Sequence, residues 1–288
     1  SAAEAAAVFD RLAREHPAGN LAPDAFTKLA SRALDEGRPA EARDLFLRVA
    51  RGFPANPLAD SALARAADAA LAAGDSGEAL DLCWSWIAGR PQGAMLDTVL
   101  DTFARALPAA GGAATARRWD AKARAAAGIA AGTVARLRIA CAGVILGESP
   151  GEATAILAAV RAKPLGDRAA AEAGLLAGRC YAAAGDTVRA LETLESLASS
   201  RADRIGAEAR MEKARVLEAA GRTGEAVEEF LTVAYLFPDI EDLAAEGLAQ
   251  AARVARARGE RDRARSFEDR LRKEYPDSRW ARQIEGSR

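Results

Sequence analysis

The residues that ordinarily carry chemistry are sparse in this chain and badly spaced for it. One histidine, His16, stands beside Pro17. With no second imidazole there is no metal-binding pair, and Ser-His-Asp or Cys-His catalysis would have only this ring to use. Cys83, Cys141 and Cys180 lack metal-ligand spacing, and an odd number cannot pair internally; they read as small apolar core residues. No GxxxxGK[ST] or GxGxxG run offers backbone amides to a phosphate. Carboxylates are plentiful but interleave with Arg and Lys at helical spacings, the pattern of a solvated face. The expectation is a chain without catalytic residues, metal ligands or cofactor.

One charged constellation stands above that background. Arg179, Arg215 and Arg253 recur at nearly constant steps, and Glu172, Glu208 and Glu246 each precede one of them by seven residues. Seven residues is two helical turns, so each Glu shares a face with its Arg. Arginine forks recognise carboxylates bidentately, and a file of them would receive a partner's acidic segment or C-terminus. The competing expectation is that each Arg pairs with a Glu of its own or a neighbouring helix pair and stiffens the stack. Such exposed pairs contribute about 0–1 kcal/mol each.

The elements that must position these residues are clearest between Arg204 and Asp239. Met211, Ala214, Val216 and Leu217 predict a first amphipathic helix over roughly Ile205 to Ala220, which Gly221 ends. Ala226, Val227, Phe230, Val233 and Ala234 predict a second, which Pro238 stops. The unit recurs throughout. Ala42, Ala79, Ala116, Ala153, Ala190, Ala226 and Ala264 follow one another at steps of 37, 37, 37, 37, 36 and 38. Twelve residues earlier come Ala30, Ala67, Ala104, Cys141, Gly178, Ala214 and Ala252, again small. Gly37, Gly74, Gly111, Gly185, Gly221 and Gly259 lie five before their alanines, and Gly147 lies six before. Pro54, Pro91, Pro238 and Pro276 close their units twelve after, Pro164 eleven after. Small residues facing each other let two antiparallel helices approach, while Phe46, Leu157, Leu194 and Phe230 fill the space nearby.

These columns resemble the tetratricopeptide repeat, with a period nearer 37 than the usual 34. The endings FPANP (53–57), LFPDI (236–240) and EYPDS (274–278) are similar to long-period repeats of bacterial cell-envelope proteins. The resemblance implies an all-α, right-handed solenoid of stacked antiparallel helix pairs, a TPR-like superhelix whose inner wall is lined by the first helices. The residue after each small packing position would face that wall: Ser31, Asp68, Arg105, Ala142, Arg179, Arg215 and Arg253. The carboxylate-clamp version of the family needs groove asparagines. This chain has only Asn20 and Asn56, outside those positions, so chaperone-tail binding of that style is not expected.

Seven repeats are expected over 18–276, with 277–288 as a closing segment carrying Trp280, Ala281 and Ile284. Residues 1–17 match the second helix of a repeat whose first helix is missing (Ala5, Phe9 and Pro17 fit the columns), so the chain is expected to be a fragment or processed product. Repeat three, 92–128, reads as the weakest, because Pro108 falls in its first helix and Gly111–Gly112 follows; a bend or more mobile segment is expected there. In repeat four, two of Val144, Ile145 and Leu146 are expected on the inner wall. Trp84 and Trp86 stand two apart and cannot share a helix face. Either both fill gaps left by alanines, or one points outward as a contact anchor.

Composition agrees with such an array. Half of the 288 residues are hydrophobic but only 5% aromatic, so alanine supplies thin, closely approached interfaces. A net charge of −1 with 28% charged residues gives no overall pull on nucleic acid. No apolar run is long enough to span a membrane, although a region preceding this sequence could attach it to one. The odd cysteine count points to a reducing, cytoplasmic compartment, whereas the repeat endings point to the periplasm or envelope. The function expected is a non-catalytic scaffold presenting a concave groove to a peptide or protein partner in a bacterial envelope-associated assembly. The alternative is the superhelical, non-catalytic part of a larger enzyme such as a lytic transglycosylase.

Overall fold

The computed structural model describes residues 8–9, 11–12, 15–16, 19–89 and 93–285. Among them there is no strand, and consecutive helices pack as antiparallel pairs. The pairs are α1 (Ala22–Asp35) with α2 (Pro39–Gly52), α3 (Leu58–Ala72) with α4 (Ser76–Gly89), and α5 (Leu96–Ala109) with α6 (Gly112–Ala125). α7 (Ala131–Ile145) and α8 (Pro150–Arg161) follow along the chain, and the pairs resume with α9 (Asp167–Ala183) and α10 (Thr187–Ser200), and α11 (Arg204–Ala219) and α12 (Thr223–Leu236). Then come α13 (Glu241–Ala257), α14 (Arg261–Glu274) and the short α15 (Arg279–Glu285). The chain divides into two compact units, residues 1–152 and 153–288. The stretch expected to form an orphan helix, 1–17, lies almost wholly outside the described residues, as does Pro91.

The turn chemistry explains the regular spacing. At the end of α11, Gly221 adopts φ +76°, which only glycine reaches without steric cost. The Gly221 N–H returns to the Glu218 carbonyl and the Arg222 N–H to that of Leu217, each at 2.9 Å, so two otherwise orphaned acceptors are satisfied. Proline opens α2 and α8, where its missing donor costs nothing. Gly147 differs from the other turn glycines. It stays out of the left-handed region, and a turn one residue longer closes with Ser149 N–H on Ile145 O at 2.8 Å. That extra residue is why this glycine stands six before its alanine rather than five.

The seven register alanines are all buried, Ala264 being the most accessible of them at 1%. Their small partners on the first helices are buried too, except in repeat three. There Ala104 is exposed, and Phe103 beside it meets Trp119 edge-on at 5.3 Å between ring centroids. The aromatic pair holds α5 and α6 in less extensive contact than other pairs. Pro108 falls inside the first helix of this repeat, in the last turn of α5, and both helices are complete. Of Val144, Ile145 and Leu146, two of which were expected on an inner wall, Ile145 is fully buried and Val144 and Leu146 are half-buried. The closing helix buries Ala281 and packs half-buried Trp280 against the second unit's core; the Ile284 side chain lies outside the described residues.

Candidate functional site

The first helices of the second unit, α9, α11 and α13, carry the arginine file. Arg179, Arg215 and Arg253 are 40, 44 and 54% exposed at the side chain. None of them bonds to the Glu seven residues before it, because two turns separate such residues by about 10 Å along the axis. Each reaches across to the neighbouring helix pair instead. Arg179 donates from Nε to Glu212 at 2.9 Å. Arg215 donates to Glu212 at 2.8 Å and to Glu246 at 2.6 Å. Arg253 reaches back to Glu218 at 2.6 Å and also bonds Gln250. The result is a mesh in which Glu212 accepts from the arginines of two successive repeats.

The remaining predicted carboxylates pair near the helix starts. Glu172 accepts from Arg168 at 3.1 Å, and Glu208 from Arg204 at 3.1 Å. Arg204 also grips Asp242 of the next repeat at 2.5 Å. Burial pushes the Glu208 carboxyl above its ordinary range, against the opposing pull of Arg179 and Arg204. Arg105, in the first unit, donates to the Asp68 carboxylate and to Thr102 Oγ1 at 3.2 Å. Glu212, Glu218 and Asp242 take part in this face but were not singled out from sequence. Their signal was available: they lie 33 to 38 residues from their arginines, close to one repeat.

The tryptophans separate as two residues on opposite sides of a helix must. Trp86 is buried and its Nε1–H donates to Asp60 O at 2.9 Å. Trp84 is half-exposed, tilted against Trp119 at 5.6 Å, and Lys122 lies over both rings at 4.7 and 4.1 Å. The three thiols are free and buried; burial pushes Cys83 and Cys141 up to about 12, so both stay protonated and unreactive. His16 is exposed, and no group of residues among those described could hold a metal ion. No described helix is long and apolar enough to cross a membrane.

Comparison with known proteins bears on the fold. No curated protein matches the chain. Among solved structures, PilW, described as a widely conserved type IV pilus biogenesis factor, is 18% identical with a TM-score of 0.47, covering 92% of this chain and 99% of that one. A tetratricopeptide repeat protein from Parabacteroides merdae is 14% identical with a TM-score of 0.48, covering 88% of this chain and 93% of its own. The family model of the tetratricopeptide repeat matches residues 172–203, most of α9 and all of α10. The resemblance to that repeat rests on this direct match and, in the other helix pairs, on the same register of buried alanines and turn glycines.

Proposed function

We propose that this chain is a non-catalytic protein-binding scaffold whose docking face is formed by α9, α11 and α13, and that Arg179, Arg215 and Arg253 receive carboxylates of a partner segment. The observation that supports this reading is the half-exposed state of the three guanidinium groups, each anchored on one side by a more buried carboxylate. The Arg253–Glu218 pair, 54 and 27% exposed, contributes about 0–1 kcal/mol, so a partner carboxylate can replace Glu218 at small cost, while Glu212 and Glu246, 16 and 13% exposed, stay in place and a partner takes the guanidinium donors they leave. Each guanidinium keeps donors beyond those its present partners occupy. The partner is a protein or peptide rather than nucleic acid, in keeping with the net charge of −1. We place the assembly at a bacterial cell envelope on the endings FPANP, LFPDI and EYPDS.

Affinity capture from the source lysate, with the native chain and a variant carrying Arg179→Glu, Arg215→Glu and Arg253→Glu, tests the docking face once circular dichroism shows that both fold. A protein retained by the native chain and lost from the variant is the expected result. Equal capture by both would reduce the mesh to a structural stiffener.

A further inference from the structure

A cleft of about 580 Å³ lies in the first unit, against the second helix of the first described pair, α2. Its floor is apolar. Phe26 is 1% exposed, Leu47 is buried, and the half-buried Phe53 ring stands 6.5 Å from that of Phe26. Its rim carries Arg48 and Arg51, one turn apart on α2 and both exposed. Arg48 lies over the Phe26 ring at 4.1 Å. A guanidinium stacked in this way keeps its edge donors directed outward and its orientation fixed, so less freedom is lost when it takes up a carboxylate.

Neither arginine has a carboxylate partner among the described residues. The arginines just before them do: Arg38 is tied to Glu36 and Glu41, and Arg43 to Asp44 and Glu78. Asp44, the one carboxylate among the described lining residues, is thereby engaged. Nor does the helix pair itself require cations here. The same two columns hold Ser85 and Ala88, Ala159 and Ala162, and Ser196 and Ser199 in other repeats. Cations recur there only in α6 and α14, as Lys122, which lies over Trp119, Arg270, which bonds Glu274, and the exposed Lys273.

We propose that this cleft docks a partner segment in which a large apolar side chain stands beside carboxylates. The apolar group would lie against the half-buried Phe53 ring and the edge of Leu47, beside the Arg48 guanidinium that covers Phe26, and the carboxylates would take the forks of Arg48 and Arg51. The site is independent of the first-helix face and survives if that face proves purely structural.

Fluorescence anisotropy with a dye-labelled short peptide alternating leucine and glutamate tests it, alongside a twin with lysine in place of glutamate. The native chain binds the glutamate peptide and not its twin, and added salt weakens the binding. The double variant Arg48→Gln and Arg51→Gln, with unchanged circular dichroism, binds about tenfold more weakly or worse, as expected for losing charged hydrogen bonds. In a background that already carries Arg179→Gln, Arg215→Gln and Arg253→Gln, which removes any binding at the first-helix face, adding Arg48→Gln and Arg51→Gln abolishes the remaining signal. The proposal is overturned if the native chain ignores the glutamate peptide, holds both peptides equally, or binds undiminished in the Arg48/Arg51 variant. It is equally overturned if the two arginines instead drive self-association or anionic-vesicle binding with no peptide bound.

Discussion

Ala190 has no accessible surface, because its helix lies so close to α9 that a Cβ added at Gly178 would come within 2.6 Å of Leu194. Ala190→Leu therefore forces extra methylenes into a contact with no room for them, and about 1–3 kcal/mol of stability should go. An unchanged thermal midpoint would mean the contact is looser than its geometry. Glu208 gives a second residue-scale test with a pH signature. Its folded carboxyl is raised above the ordinary 4.5 by burial. Below that ordinary value the carboxyl is protonated in both states and contributes nothing; as pH rises through the folded value, the charged form opposes folding. Glu208→Gln should accordingly melt higher than the native chain near neutral pH, with the difference vanishing below about pH 4.5. A pH-independent difference would assign the effect to packing. At this scale the sequence was legible where one residue type answers one demand: alanine for close approach, glycine for a left-handed turn. It was not legible for Glu208, whose desolvation depends on neighbours far along the chain.

The helix pair is the scale at which charge and packing meet. Four residues after the register alanine, most pairs place Phe or Leu, but α6 places Asp120 and α14 places Glu268, both buried. Asp120 accepts from Arg138 of α7 at 2.8 Å and pairs with Arg124 at 3.0 Å; Glu268 takes Arg256 and Arg272. Removing one member of a buried pair strands the other. Asp120→Ala should therefore cost about 3–5 kcal/mol, whereas Glu218→Ala, which frees only the exposed Arg253, should cost about 0–1 kcal/mol. Denaturant melts of the two variants decide this, and similar costs would show that Arg138 finds water once Asp120 is gone. The period and helix ends were readable because a turn glycine marks every repeat and a proline closes most of them. The choice of partners was not, because it depends on the offset between successive helix pairs. That offset sets whether Arg179 reaches Glu212 in the next repeat rather than Glu172 in its own helix. Pro108 is accommodated because its place in the last turn of α5 leaves the earlier helical bonds intact.

Across the whole molecule, a scaffold of repeats is stabilised by nearest-neighbour interfaces rather than by one shared core, so damage should remain near its source. The two compact units meet this description separately. The second unit has its own buried cluster built from Met211, Leu217, Phe230 and Leu271 of α11, α12 and α14, and the first has Phe46, Trp86 and Phe103 among its largest buried side chains. Ala190→Leu injures α10 and its direct neighbours α9 and α11. Under native conditions, amide hydrogen exchange in that variant should accelerate in α9, α10 and α11 while α1 to α5 keep the protection of the native chain. Acceleration spread evenly from α1 to α14 would mean that the array unfolds as a single cooperative block. In that case a partner bound at either proposed surface would stabilise every helix equally, and local protection could not be used to map where it docks. If the loss is local, the same exchange measurement with a partner present distinguishes the Arg48–Arg51 cleft from the mesh on α9, α11 and α13, because each would protect its own helices.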